Sequence, residues 1–264
     1  WSASGGISTA QFGYSIDSAG DVNGDGYGDV IIGAPFYDNG ITDEGAVFVY
    51  YGSAAGLPAT PSWSIEGNNA SFIKYGAAVA GVGDVNGDGF SDIAFNSVNA
   101  GSVTNVRLHV FHGSSSGLGA SESSLMSPGT STYYYFATKI VKGGDINGDG
   151  KGDILLAAPD NGSGNGKVWY CKGSSSGVGS TITNCPALTT SGAGAQGDGT
   201  LGTVICSANL NGDLYNDIVI AHPSWDNSSQ VDRGRVWFVA GSSSLGATTL
   251  SSSNALTGTT NLYM

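Results

Sequence analysis

The sequence predicts an all-β protein in which about four similar four-stranded units form the blades of a propeller. The chain has 44 glycines and only 11% charged residues, a composition that does not suggest a helical protein. Short runs rich in Val, Ile, Tyr and Phe alternate with clusters of Gly, Ser, Asn and Asp, as strands alternate with turns. A nine-residue motif also returns four times at a nearly constant spacing, which indicates an array of similar units.

The recurring motif has the form Asp-x-Asn-Gly-Asp-Gly-x-x-Asp. We call its copies loops 1 to 4: Asp21–Asp29, Asp84–Asp92, Asp145–Asp153 and the altered Asn209–Asp217. Their starts lie 63, 61 and 64 residues apart. Oxygen side chains at positions 1, 3, 5 and 9 of a loop bent at glycines are what a hard cation such as Ca²⁺ requires. The motif therefore bears on both the architecture and the ligand.

The same strand pattern surrounds each loop. The first strands are predicted in 12–20, 75–83, 136–144 and 201–208, the second in 29–35, 92–95, 153–159 and 217–223, and the third in 45–52, 106–113, 166–173 and 234–241. A more polar fourth strand follows a Gly-Ser-rich turn and contains Trp63, Leu188 or Leu256. The second strands are almost continuously apolar, as expected of strands buried on both faces. Four short strands per unit are typical of propeller blades.

We expect one repeat-array domain over residues 1–264, with blade repeats at approximately 6–67, 68–129, 130–192 and 193–258. Residues 1–5 align with residues 63–67, and residues 261–264 align with residues 10–13. Residues 1–5 and 259–264 are therefore predicted to belong to neighbouring blades, as if cut from a longer array. Open blade faces expose apolar surface. We accordingly predict either self-association or a partner chain that completes the propeller.

The motifs around loop 1 resemble a known family. Phe12-Gly13, the loop itself and Gly33-Ala34-Pro35 together resemble the FG-GAP repeat of integrin α-subunit propellers and of related bacterial and fungal proteins. The resemblance extends over the whole chain in four copies, although the flanking motifs vary: the Phe-Gly pair is Tyr-Gly at 75–76, Phe-Ala at 136–137 and Leu-Gly at 201–202. Propellers of this family are usually seven-bladed, about 430 residues at this period, which implies that four blades are part of a larger propeller.

The resemblance implies the calcium ligands. In the family the loop joins the first and second strands of a blade, and Ca²⁺ is held by side chains at positions 1, 3, 5 and 9 and by the carbonyl of position 7. The corresponding residues are Asp21, Asn23, Asp25, Tyr27 and Asp29; Asp84, Asn86, Asp88, Phe90 and Asp92; Asp145, Asn147, Asp149, Lys151 and Asp153; and Asn209, Asn211, Asp213, Tyr215 and Asp217. Asn209 replaces the first aspartate and Leu214 the second glycine, so the fourth site should bind more weakly or stand empty.

Two other interpretations of the loops fit less well. An EF-hand needs a glutamate at position 12 and flanking helices, whereas position 12 of loop 1 is Ile32 in a strand pattern. The loops could also be simple Asn-Gly turns. The aspartate at position 9 of all four copies argues against that.

Charge and hydropathy limit the kinds of partner and the cellular location that the sequence predicts. The net charge is −12, and 11 of the 21 acidic residues are loop aspartates, so four bound Ca²⁺ would bring the charge to −4. The nine Lys and Arg are scattered, and we expect no nucleic-acid partner. No apolar run approaches the roughly 20 residues of a membrane span. Calcium loops of this kind fill at roughly millimolar extracellular calcium, which predicts a secreted or cell-surface protein.

Catalytic motifs are not predicted. The segments 113–117 and 173–177 fit the Gly-x-Ser-x-Gly pattern, but they follow a strand and open no helix, so we interpret them as turns. His109 and His112 are three apart on a strand and point to opposite faces. No Ser/His/Asp or Cys/His constellation is suggested, and we expect neither catalytic residues nor an organic cofactor. Among the three cysteines, a Cys171–Cys185 bridge would leave Cys206 free.

The sequence thus predicts a non-catalytic extracellular module, stabilised by calcium, for adhesion or for recognition of a protein or surface glycan. A carbohydrate-binding lectin, a structural subunit of a surface assembly or fibre, and an accessory domain of a secreted enzyme remain as alternatives. The tyrosine run 133–135 is a candidate binding surface, and Asn69, Asn161 and Asn227 begin glycosylation sequons.

Overall fold

Four β-sheets follow one another along the chain, one for each copy of the motif. The computed structural model describes residues 1–68, 72–99, 102–127, 136–159, 166–190, 201–225, 234–250 and 255–256. The strands are β1 (Ser15–Gly20), β2 (Asp29–Ala34), β3 (Ala46–Tyr50), β4 (Trp63–Glu66), β5 (Phe72–Ile73), β6 (Val79–Gly83), β7 (Asp92–Asn99), β8 (Ser102–Phe111), β9 (Ser124–Met126), β10 (Lys139–Gly144), β11 (Asp153–Ala158), β12 (Lys167–Cys171), β13 (Ala187–Thr190), β14 (Ile205–Ala208), β15 (Asp217–His222), β16 (Arg235–Val239), β17 (Thr248–Leu250) and β18 (Ala255–Leu256). Within the described ranges, the one helical segment is a 3₁₀ turn at Ile182–Asn184.

Each sheet is an antiparallel meander. The strand orders are β1-β2-β3-β4, β6-β7-β8-β9, β10-β11-β12-β13 and β14-β15-β16-β18. The short β5 also pairs with β7. The first strands are neighbours in succession, since β1 contacts β6, β6 contacts β10 and β10 contacts β14. This arrangement confirms the predicted fold: an all-β propeller arrangement of four four-stranded blades.

One strand departs from the repeating pattern. β17 belongs to the fourth repeat but pairs in parallel with β13 of the preceding blade, with Leu188 opposite Thr248. The third sheet therefore has five strands. The sequence did not predict this pairing, which ties the third blade to the fourth at their outer edge.

A β-bulge precedes each of loops 1 to 3. The register between first and second strands shifts just before Gly20, Gly83 and Gly144, all of which have positive φ. A side chain at Gly20 would collide with Ser91 of the next blade, so the turn into the loop requires glycine. The fourth blade has Ala208 at this place, and its register is regular. The bulge thus occurs where a glycine precedes the loop and is absent where alanine does.

The apolar core lies between the blades. All six residues of β11 and five of the six in β2 are buried, as predicted for second strands. Between the second and third blades, Leu108 and Met126 belong to one buried cluster with Ile154 and Trp169. Similar clusters join the first blade to the second and the third to the fourth. Each blade is therefore stabilised by its neighbours, as in other repeat proteins.

A disulfide adds a covalent link in the third blade. Cys171 at the end of β12 is bonded to Cys185, just before β13, with the Cα atoms 4.4 Å apart. Cys206 is free and exposed. The sequence allowed this pairing without deciding it, and the structure contains it. Separately, no helix in the described part of the chain has the length and apolar character needed to cross a bilayer.

Candidate metal-binding loops

The four loops all connect a first strand to a second strand, as expected from the sequence. Loop 1 joins β1 to β2, loop 2 joins β6 to β7, loop 3 joins β10 to β11 and loop 4 joins β14 to β15. Because the first strands are neighbours around the propeller and run into their loops in the same way, the loops lie side by side at one end of the blades.

The aspartate at position 1 organises the backbone of its loop. In loop 1, Oδ1 of Asp21 accepts hydrogen bonds from the N–H groups of Gly24 (2.7 Å) and Asp25 (3.1 Å). Its Oδ2 accepts the N–H of Gly26 at 2.9 Å. Gly24 and Gly26 have φ of +72° and +87°, a region that favours glycine. Asp84 and Asp145 make the same three bonds in loops 2 and 3.

Positions 3 and 5 are linked to each other. Oδ1 of Asn23 accepts the N–H of Asp25 at 3.1 Å, and its Nδ2 donates to Oδ2 of Asp25 at 2.9 Å. The other carboxylate oxygen of Asp25 accepts the N–H of Tyr27 at 3.0 Å. These hydrogen bonds hold the side chains of Asp21, Asn23 and Asp25 against the same backbone turn. Asp21 is half-buried, as is Asn23, while Asp25 is exposed.

The aspartate at position 9 has a structural role that the sequence did not predict. Asp29 is buried, and its Oδ2 accepts the N–H of Val22 at 2.8 Å. Its Oδ1 accepts the N–H of Gly52, just beyond the third strand, at 2.8 Å. The equivalent aspartates of loops 2 to 4 pair in the same way with Gly113, Gly173 and Gly241. Position 9 therefore pins the loop to the third strand, and the glycine shared by the four third strands was its sequence signal.

Burial and neighbouring carboxylates both raise the pKa values of position-9 aspartates. Burial raises the pKa of Asp92 to about 7, and the neighbouring Asp88 and Asp84 add to the rise. Burial likewise raises the pKa of Asp153 to about 6, again with a contribution from the other loop aspartates. Backbone hydrogen bonds oppose both shifts. A bound cation would favour the charged carboxylates.

The donor set suits a hard cation. It consists of carboxylate, amide and carbonyl oxygens, the ligands that Ca²⁺ prefers, and a carboxylate oxygen that accepts one hydrogen bond keeps a further lone pair. Yet in the part of the chain that the structure describes, no group of three or more His, Cys, Asp or Glu side chains is arranged to hold a metal ion. The recurrence of aspartate at position 9 is also explained by its hydrogen bonds. The twenty ligands named from the sequence therefore remain predictions, for which the recurring arrangement of positions 1, 3 and 5 is the main support.

Loop 4 differs in the way its sequence implies. Asn209 accepts the N–H of Gly212 at 2.8 Å through Oδ1, as an aspartate would. Its Nδ2 instead donates to the carbonyl of Asp213. An amide nitrogen cannot accept a hydrogen bond. In this fully described loop, the N–H of Leu214 accordingly lacks the bond to position 1 that its counterparts make in loops 1 to 3. The N–H of Asp213 bonds to Oδ1 of Asn211 and not to position 1. Loop 4 has both a weaker internal bracing and one carboxylate fewer.

The structure brings together a Ser-His-Glu trio that the sequence did not predict. Oγ of Ser97 lies 2.8 Å from Nε2 of His109, and Nδ1 of His109 lies 2.7 Å from Oε2 of Glu122. Ser97 is 0% and His109 4% exposed. The rings of Phe95 and Tyr75 lie against the imidazole, with centroids 4.9 and 4.8 Å away. A nucleophile must reach its substrate, and Ser97 is fully buried. Ser97 and His109 therefore form a polar part of the core, and the exposed Glu122 lies at its edge.

The remaining candidates behave as turns or lie outside the described residues. Gly117 donates its N–H to the carbonyl of Ser114, and Gly177 to that of Ser174, each at 2.7 Å. The Gly-x-Ser-x-Gly segments are thus tight turns, as predicted. The tyrosine run at 133–135 and the sequons beginning at 69, 161 and 227 include residues beyond the described ranges.

Comparison with known proteins agrees with the loop geometry. A model of the FG-GAP repeat matches residues 12–50 and 136–171. Integrin alpha-PS3 of Drosophila melanogaster is 40% identical over 99 residues, 36% of this chain and 8% of that protein. Integrin alpha-5 of Xenopus laevis is 31% identical over 157 residues, 56% of this chain and 15% of that protein. Phosphatidylinositol-glycan-specific phospholipase D of Mus musculus is 33% identical over 159 residues, 57% and 18% respectively. The matches span less than a fifth of these relatives.

Proposed function

Because this chain carries FG-GAP repeats, we propose that it is a non-catalytic extracellular propeller module, stabilised by calcium, that serves adhesion or protein recognition. The observation that carries the proposal is the shared geometry of loops 1 to 3, whose position-1 aspartates make the same three backbone hydrogen bonds. The predominance of integrin alpha subunits among the relatives supports adhesion or recognition. Function still resides in sites rather than in the fold, so a direct binding test is needed.

Calcium is proposed at loops 1 to 3, with a weaker site at loop 4. The ion would neutralise carboxylates that otherwise repel one another, and it would fix the conformation of a glycine-rich turn. The chain itself supplies the bracing of these side chains, through bonds such as that from Gly26 to Asp21. Burial raises the pKa values of Asp92 and Asp153, and a bound cation would favour their charged forms.

An extracellular location is supported by the disulfide. Cys171 and Cys185 are bonded within the third blade, and such bonds persist mainly in oxidising compartments. Calcium sites of modest affinity are also filled outside cells. Both considerations favour a secreted or cell-surface protein.

We also propose association with a partner chain or with a second copy. Ile16 of the first blade and Val204 of the fourth are each 63% exposed, although residues of both blades are buried where they meet the second and third. Sedimentation over a range of protein concentrations, with and without calcium, tests this. A monomer at all concentrations would oppose self-association and leave a partner chain as the proposal.

Cell attachment tests the main proposal. Cells are allowed to attach to surfaces coated with the chain in calcium, in chelator, or with the triple variant Asp25→Asn, Asp88→Asn, Asp149→Asn. We expect attachment to the wild type in calcium and loss in the other two cases. A glycan array distinguishes the lectin alternative, and concentration-dependent filaments would favour a structural subunit. Turnover of any substrate by the chain alone, including a phosphatidylinositol-glycan, would contradict the non-catalytic assignment.

A further inference from the structure

Adjacent loops are joined by hydrogen bonds between backbone atoms. The N–H at position 8 of each loop donates to the carbonyl at position 1 of the preceding loop. The pairs are Ser91 to Asp21 at 2.9 Å, Gly152 to Asp84 at 2.6 Å, and Asn216 to Asp145 at 2.8 Å. The bond recurs at all three boundaries between the described blades, whatever side chain occupies position 8. It is therefore a regular feature of the blade repeat.

Each of these bonds continues into the preceding loop. The carbonyl of Asp21 and the N–H of Val22 belong to one peptide group, and that N–H donates to Oδ2 of buried Asp29 at 2.8 Å. Loops 2 and 3 repeat the step, from Val85 to Asp92 and from Ile146 to Asp153, each at 2.8 Å. A path of two peptide groups thus leads from positions 7 and 8 of one loop to the carboxylate at position 9 of the loop before it.

Both ends of this path are proposed calcium ligands. The first peptide group includes the carbonyl of position 7, and the last acceptor is the aspartate of position 9. We propose that the path couples neighbouring sites, so that calcium bound at one loop raises the calcium affinity of the adjacent loop. This inference rests on the calcium sites proposed above.

Side-chain packing joins the same loops a second time. The side chain at position 7 lies against the glycine at position 4 of the preceding loop. A Cβ added at Gly24 would lie 2.5 Å from Cε1 of Phe90, and one added at Gly148 would lie 2.5 Å from Cε1 of Tyr215. At the middle boundary, Lys151 lies against Gly87. Fixing one loop therefore restricts the backbone of the loop before it.

The sign of the coupling follows from this shared ordering. When one ligand has already ordered a segment, the next ligand that needs the same order binds at a lower entropic cost. Consecutive hydrogen bonds also polarise one another and strengthen along a chain. Repulsion between neighbouring cations acts in the opposite direction, but salt screens it. We therefore expect positive coupling that falls off beyond the nearest neighbour.

Glycine amides offer a separate readout for each loop. The N–H groups of Gly26, Gly89 and Gly150 donate to the position-1 carboxylates, so their NMR shifts report calcium at loops 1, 2 and 3. Calcium is titrated into the wild type and into Asp149→Asn, which removes a proposed ligand of loop 3. We expect the loop 3 response to be lost and the midpoint of loop 2 to rise about fivefold. Loop 1 should change much less.

Two further variants and a salt control separate the path from simple charge effects. Asp25→Asn should weaken loop 2 and leave loop 3 near its wild-type midpoint. Phe90→Ala changes no ligand side chain but removes the packing on Gly24, and it should raise the loop 1 midpoint. The titrations are repeated in about 0.5 M KCl, which screens the attraction between a carboxylate of one loop and calcium in the next. Coupling that disappears in this salt is not carried by the path. The amide spectra themselves show whether each variant is folded.

The outcomes distinguish the coupling from the sites themselves. If loop 2 keeps its wild-type midpoint in Asp149→Asn after loop 3 has lost its response, the coupling is wrong and the calcium sites stand. Equal shifts at loops 1 and 2 would also overturn the nearest-neighbour path. If no loop glycine of the wild type responds up to about 10 mM calcium, the proposed sites fail, and the coupling fails with them.

Discussion

Trp1 makes with the first blade the contacts that Trp63 makes with the second. Nε1 of Trp1 donates to the carbonyl of Pro58 at 2.7 Å, and Nε1 of Trp63 donates to the carbonyl of Gly119 at 2.8 Å. The two acceptors lie in the same turn of successive repeats. A tryptophan on the outer edge thus reaches across to hold the turn of the blade that follows.

The tryptophan rings support a test by substitution. Trp63 packs edge-on against Phe111 with centroids 5.0 Å apart, and Trp1 packs against Tyr50 at 5.1 Å. Trp63→Phe keeps an aromatic ring but removes the donor, so the free energy of unfolding should fall by about 1 kcal/mol. Trp63→Ala should cost about 3 kcal/mol. Urea denaturation measures the free energy of unfolding of both variants. Trp1→Phe is the control, because Trp1 is more exposed than Trp63. Equal losses for Trp63→Phe and Trp63→Ala would show that the ring contact is unimportant.

Calcium removal should lower the melting temperature. The proposed sites bind the folded loops, so saturating calcium stabilises the native state by mass action. For a chain of this size we expect chelation to lower the melting temperature by about 5 °C, equivalent to roughly 2 kcal/mol. Differential scanning calorimetry with EDTA, followed by excess calcium, measures the change. Magnesium serves as the control ion. A melting temperature that chelation leaves unchanged contradicts calcium stabilisation.

Loop 4 can be repaired and loop 1 impaired by matched changes. Asn209→Asp with Leu214→Gly restores both the missing carboxylate and the glycine, so calorimetric titration should show one more strong site than in the wild type. Asp21→Asn gives loop 1 the amide of loop 4 and should remove one strong site. Both changes act on bonds that differ between the loops, such as Gly26 to Asp21. Unchanged stoichiometry in both variants would refute the role of position 1.

The contact between Ser97, His109 and Glu122 should matter for stability and not for catalysis. Ser97→Ala leaves the nitrogen of buried His109 without its hydroxyl partner, which should cost about 1–3 kcal/mol. At the equivalent positions the first blade has Ala34 and Phe48. The double variant Ser97→Ala, His109→Phe introduces the same pair, so it should recover part of that loss. Urea denaturation compares the two variants. A fluorophosphonate probe should not label Ser97 in the folded protein. Labelling that disappears in Ser97→Ala would instead establish an accessible nucleophile.

The disulfide should contribute measurably to stability. Cys171 and Cys185 are 14 residues apart, and closing a loop of that size in the unfolded chain contributes about 3 kcal/mol. Replacing both residues by alanine should therefore lower the free energy of unfolding by about that amount, measured in guanidinium chloride. Cys206→Ser is the matched control and should have little effect, because Cys206 is free and exposed. Equal effects in the two cases would count against the bond.

Strands and loops were predictable because side chains encode them. The apolar second strands, the glycines of the loops and the aspartates at fixed positions all leave a periodic pattern in the sequence. The same aspartate at position 9, however, has two explanations, since the bond from Gly52 that pins Asp29 uses a backbone donor. A motif that serves both a ligand and the backbone cannot by itself reveal which role caused its recurrence.

Features that depend on contacts between distant strands were not predictable. Ser97, His109 and Glu122 lie on or near different strands, and no spacing rule brings them together. The parallel pairing of β17 with β13 also depends on which sheet edge lies nearby. Local patterns therefore gave the blades and their loops, whereas the bonds between blades required the three-dimensional structure.

The bond from position 8 to position 1 of the preceding loop bears on how such arrays evolve. It is made by peptide atoms alone, and Ser91, Gly152 and Asn216 make it equally well. A duplicated blade would carry a matching donor and acceptor from the moment it arose, and a deletion of one repeat would bring together an equally suitable pair. Gene duplication can thus change the number of blades without a compensating substitution for this one bond.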